Sequence, residues 1–184
     1  PKQTSPYKFY QFWMNASDDD AAVFIKRFTV LPMDEIEALI KEHNEAPHLR
    51  ALQQKLAEEI TVMVHSREAY DQAVRASQAL FKGTKEDLMA LSKSELLEVL
   101  EGVPTHTLKR DSHGDSLDMI SFLSTETGIL PSKSEAMRSL KANSISINKE
   151  KVSEGSEITE KDLLNGEFIL VQKGKKNKYL VILD

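Results

Sequence analysis

The sequence predicts an α+β fold: an N-terminal all-α helical domain, then a small domain of two or three helices packed on a short, mainly antiparallel sheet. Three observations carry this. Apolar residues recur at steps of three and four through the first hundred positions, the period of helices with one buried face. After Asn143 the pattern changes to alternation and to short runs of Ile, Val and Leu, which is how strands read. Between two of those runs, Lys173-Gly174-Lys175-Lys176-Asn177 supplies a hairpin loop containing glycine.

Each element follows from local chemistry. Residues 7–14 crowd large apolar and aromatic side chains into one short helical segment. Ser17, with Asp20 three positions on, starts a helix through Phe28 whose apolar face is Ala22, Phe24, Ile25 and Phe28. Pro32 and Asp34 open another, carrying Ile36, Leu39 and Ile40. The longest periodic run goes from Leu49 to Phe81, with a break expected at His65-Ser66 and a stop at Gly83. Ser92-Lys-Ser-Glu95 and Ser132-Lys-Ser-Glu135 are capping boxes, each leading a further helix. A helix is expected from Asp115 or Ser116 to Gly128, with strands at Ile145–Ile147, Lys151–Val152, Phe168–Gln172 and Lys178–Leu183. The stretch 101–115 lacks periodicity, so the expected domains are 1–102 and 116–184, with 103–115 as linker.

Composition narrows the function. The 184 residues have 40% apolar and 29% charged content, ordinary for a globular chain. No apolar run approaches the roughly 20 residues of a membrane helix, so no membrane partner is expected. The absence of cysteine excludes disulfides, thiolate metal sites and cysteine nucleophiles. The net charge of -5 argues against indiscriminate coating of nucleic acid, but it is unevenly spread. Residues 133–151 hold Lys133, Arg138, Lys141, Lys149 and Lys151 against Glu135 and Glu150 alone. Lys173, Lys175, Lys176 and Lys178 follow with no acid among them. Such clusters suit phosphate binding, and equally suit a solvated surface.

The segment Thr4-Ser-Pro-Tyr-Lys-Phe-Tyr-Gln-Phe-Trp-Met-Asn15 resembles the stretch that follows the KMSKS-type loop of bacterial tyrosyl-tRNA synthetases. Leu56 to Phe81, with Ala57-Glu-Glu-Ile-Thr61, Val64-His65 and Ala79-Leu-Phe81, is similar to their helical anticodon-binding domain. Glu101-Gly-Val-Pro104 resembles the approach to their linker. Thr127-Gly-Ile-Leu-Pro-Ser-Lys-Ser-Glu-Ala136, Arg138 and Ser146-Ile-Asn148 resemble the α-L motif of the ribosomal S-four-like RNA-binding fold. Asp162-Leu-Leu-Asn-Gly166 and the lysine hairpin match its later strands. The collinear order of these matches is more specific than any one of them. Departures also exist: Met137, Asn143-Ser144 and Lys149 stand where relatives usually have an arginine, glycines and a glycine.

The resemblance implies the C-terminal part of such an enzyme, a class I tyrosine–tRNA ligase of the cytoplasm. The Rossmann-type catalytic domain, with its ATP, Mg²⁺ and homodimer interface, would lie upstream. No catalytic residue, metal ligand or cofactor of its own is therefore expected here. The implied partner is tyrosine tRNA. Expected RNA-binding residues are Ser132, Lys133 and Ser134 at a helix N-terminus, where free backbone N–H groups favour phosphate, with Arg138, Lys141, Lys149, Lys151, Lys173, Lys175, Lys176 and Lys178. The resemblance implies that the loop at Asp18 faces the anticodon, which makes Asp18 a candidate base reader: a carboxylate accepts from the guanine Watson–Crick edge, and the tyrosine anticodon begins with guanine. As part of Asp18-Asp19-Asp20 it could instead simply complement a helix dipole. The aromatics Tyr7, Phe9, Tyr10, Phe12 and Trp13 suit core packing against the absent domain, or stacking on unpaired bases. Two other readings are a stand-alone S-four-like protein acting on ribosomal RNA and a helical protein-interaction scaffold.

Overall fold

The computed structural model describes residues 4–109 and 116–184. The Asp115 helix start and residues 110–115 of the expected linker lie outside the described residues. Contacts divide the chain into two compact units, Pro1–Gln78 and Ala79–Asp184.

The first unit is helical. Ser5 caps α1 (Pro6–Met14) and Ser17 caps α2 (Asp18–Phe28), each hydroxyl accepting from the N–H three residues on. Three aspartates in the first turn of α2, with Lys26 and Arg27 in its last, complement the helix dipole. Then come α3 (Met33–Glu45), a single 3₁₀ turn (Pro47–Leu49) and α4 (Ala51–Val64). The expected break at His65-Ser66 is present: Ser66 Oγ accepts from Ala69 N at 3.1 Å and α5 (Arg67–Phe81) begins. Ala21, Ile25, Ile36, Leu52, Leu56 and Ile60 form the core. The aromatics of α1 pack within this unit: Trp13 meets Phe9, Phe12 and Phe24 edge-on, with centroids 5.0–5.9 Å apart. Phe12 stays exposed.

In the second unit, Thr84 and Ser92 build complete capping boxes for α6 (Lys85–Met89) and α7 (Lys93–Val99). Both helices are bonded to the sheet side of the molecule. Lys85 Nζ reaches Glu150 at 2.9 Å and Asp162 at 3.2 Å, Lys93 Nζ reaches both Glu167 oxygens at 2.8 Å, and Asn165 donates to Leu91 O. Within the segment read as linker, Thr105–Leu108 is strand β1, parallel to the last strand.

The next element corrects the sequence reading. Leu117–Asp118 is strand β2, paired with β5 (Glu157–Ile158), and helix α8 starts later, at Met119–Ser121. The reason is local: the Asp118 carboxylate accepts from Ser121 N at 3.0 Å and so caps at that point. The helix then widens into a π turn, Phe122–Glu126, where the Thr127 hydroxyl donates to Phe122 O. Gly128, at φ +64°, ends it. Helix α9 (Lys133–Lys141) leads through Asn143, at φ +50°, into β3 (Ile145–Ile147). β4 (Glu150–Lys151), β6 (Phe168–Lys173) and β7 (Asn177–Leu183) complete a five-stranded sheet ordered β1-β7-β6-β3-β4. All its pairs are antiparallel except β1 with β7. Met119, Phe122, Leu123, Leu140, Ile145, Ile169 and Val181 lie in the core beneath α8 and α9. The α+β reading is correct.

Candidate nucleic-acid interface

Helix α9 sets the basic face. Ser132, in extended backbone, accepts from Glu135 N, so the first turn is ordered while Ser132, Lys133 and Ser134 remain exposed. Only half of the expected capping box forms here. The Glu135 carboxylate turns instead to Lys173 Nζ at 3.0 Å, a pairing that holds its pKa below the ordinary value. That ion pair ties the base of the β6–β7 hairpin to α9. The nitrogens of Lys133, Arg138, Lys175 and Lys176 make no ion pair or side-chain hydrogen bond among the described residues. They are exposed and available.

The remaining cations are engaged. Lys141 stands 3.5 Å from Glu154, and Lys151 donates to Asn143 O at 2.8 Å. Lys178 lies over the Phe81 ring, 5.2 Å from its centroid. Lys149, at φ +78°, turns its ammonium inward to donate to Leu80 O. Burial, reinforced by the neighbouring Lys178, pushes its pKa down.

In the first unit, Asp18 opens α2 with its side chain 54% exposed. Its Oδ1 accepts from Gln53 Nε2 at 2.7 Å. His43 Nε2 stands 3.0 Å from the same oxygen, off the line of a good hydrogen bond. The Gln53 hydrogen bond, then His43, holds the Asp18 carboxyl below the usual carboxylate range. Sequence reasoning missed Gln53 and His43, which are 0% and 1% exposed. Polar residues beside an apolar helical stripe read as its solvated flank; only their place in the packed bundle reveals them.

Among the described residues, no group of three or more His, Asp or Glu could hold an ion. Both Ser-Lys-Ser strings sit at helix starts and cap them.

The geometry can be set beside known proteins. The family model for the tyrosine–tRNA ligase SYY-like C-terminal domain matches residues 95–182, and that for class I tRNA synthetases (W and Y) matches residues 1–82. The chain is 50% identical over 186 residues to the tyrosine–tRNA ligase of Porphyromonas gingivalis, covering 100% of this chain and 43% of that protein. Against the Flavobacterium johnsoniae tyrosine–tRNA ligase it is 49% identical over 180 residues, covering 97% of this chain and 42% of that protein. A C-terminally truncated mitochondrial tyrosyl-tRNA synthetase of Aspergillus nidulans aligns with TM-score 0.41 and 33% identity over 42% of this chain and 23% of that one. The chain thus spans under half the length of the curated relatives it matches.

Proposed function

Because the chain belongs to the tyrosine–tRNA ligase family, through its C-terminal domain and over its whole length, we propose that it is the tRNA-recognition region of such an enzyme. The helical part meets the anticodon arm of tyrosine tRNA, where Asp18 reads the first anticodon base. The second domain grips backbone phosphates near the anticodon stem and the long variable arm. In the complete enzyme these contacts position the acceptor end, while a separate catalytic domain attaches tyrosine with ATP and Mg²⁺.

The observation that carries this reading is the exposed cationic group around α9. The helix start presents backbone N–H groups, the Ser132 and Ser134 hydroxyls and Lys133, its last turn carries Arg138, and Lys175 and Lys176 are exposed in the hairpin whose Lys173 pairs with Glu135 of the same helix. Arg138 can hold one phosphate through two parallel hydrogen bonds, which a lysine cannot.

Salt titration of tRNA binding tests it. With about five phosphate contacts, log affinity should fall with a slope of roughly -4 per decade of salt. A flat dependence, or equal affinity for unrelated RNAs of the same length, overturns the reading.

A further inference from the structure

The loop that leads into α2 is fixed from two neighbouring helices. Arg50, in the left-handed region at φ +56°, sends its guanidinium Nη2 to Met14 O at 2.6 Å and Ala16 O at 3.0 Å. Gln53, one turn along α4, approaches Ala16 O at 3.4 Å and bonds Asp18 Oδ1 at 2.7 Å. His43 reaches the same carboxylate oxygen from α3. Both groups facing Gln53 Nε2 are acceptors, so the amide has one usable orientation.

This arrangement is costly as core packing. Gln53 Oε1 and both His43 ring nitrogens are buried and make no hydrogen bond among the described residues, Nε2 meeting Asp18 Oδ1 only as a 3.0 Å contact. A polar atom left in that state destabilises a fold, and an apolar side chain of similar size would avoid the penalty. What the arrangement does provide is a locked acceptor. Asp18 Oδ1 is engaged, whereas Oδ2 carries no hydrogen bond among the described residues and belongs to a side chain 54% exposed.

We propose that Gln53 and His43 are positioning residues for base recognition: they clamp one oxygen of Asp18 so that the other is held ready to accept from a guanine edge. The inference rests on Asp18 as the base reader. Guanine offers N1–H and a 2-amino donor to an outward carboxylate oxygen; adenine presents a lone pair at N1 instead. A carboxylate free to rotate would lose part of that contact to its own conformational freedom.

The test uses the full chain and two tyrosine tRNA transcripts differing only in guanine or adenine at the first anticodon position. The readout is the ratio of their dissociation constants, which a role confined to stability would leave unchanged. The intact protein should favour guanine by about tenfold, the size of one charge-assisted contact. Gln53→Leu should lower that preference to about threefold or less. His43→Leu removes the clamp from the other helix and gives the same reading should Gln53→Leu fail to fold. If Asp18→Asn abolishes the preference while both clamp variants keep it at tenfold, the positioning role is wrong. If Asp18→Asn itself keeps the preference, the underlying base-reader assignment falls.

Discussion

Asp18 shows how much of a carboxylate's behaviour is set by what touches it. Its neighbours Asp19 and Asp20 share the first turn of α2 and its helix dipole, yet Asp18 alone of the three meets Gln53 and His43. Donors directed at the ionised form favour it, so the folded-state pKa lies below the unfolded one. A depressed carboxyl pKa contributes stability that is fully present above the unfolded value and is lost as pH falls through the folded value. The group's exposure keeps that contribution small; its use is diagnostic. In a carboxyl-carbon NMR titration, Asp18 should show a midpoint below the usual carboxylate range. Gln53→Leu removes the largest cause and should move the midpoint upward. An unmoved midpoint means that the Gln53 contact does not persist in solution.

At the scale of the element, Asn148 holds the turn after β3. Its backbone, at φ +45°, donates to Leu170 O at 2.8 Å, while Oδ1 accepts from Leu170 N at 2.8 Å and Nδ2 donates to Asp162 O at 2.5 Å. The side chain is fully buried, so no water can replace these bonds. Asn148→Ala should cost about 2–4 kcal/mol by chemical denaturation, because it orphans a buried N–H and a carbonyl. A cost below about 1 kcal/mol would show that the turn relaxes around the change. Little of this could be read in advance. Caps and the hairpin were legible because their partners are three or four residues apart: Ser17, Ser66, Ser92 and Lys173–Asn177 all behave as their spacing implies. Strand β1 was not legible. Its sequence Thr-His-Thr-Leu buries only Leu108, and its pairing with β7 depends on backbone bonds to residues more than seventy positions away. The π turn and the Glu135–Lys173 pair have the same character, decided by tertiary partners rather than by local pattern.

For the whole molecule, the net charge of -5 conceals a division of labour. The acids of the second unit neutralise particular lysines, Glu154 beside Lys141 and Asp162 beside Lys85, which leaves Lys133, Arg138, Lys175 and Lys176 to act outward. Phosphate contacts respond to salt and ignore sequence, whereas a base contact does the reverse. The two proposed sites can therefore be separated by their physics. Arg138→Ala combined with Lys133→Ala should weaken tRNA binding at least tenfold and make the salt slope shallower by about 1.5, near the release expected for two phosphates. Both side chains are exposed, so the unfolding midpoint should not move. The guanine preference at the first anticodon position should also stay constant. Lys149→Met should leave the slope unchanged, since that ammonium is directed inward at Leu80 O. Asp18→Asn should give the opposite pattern: an unchanged slope with the base preference lost. An Arg138/Lys133 variant that keeps the full slope would remove α9 from the interface. One that loses slope and base preference together would show a single recognition surface in place of two separable ones.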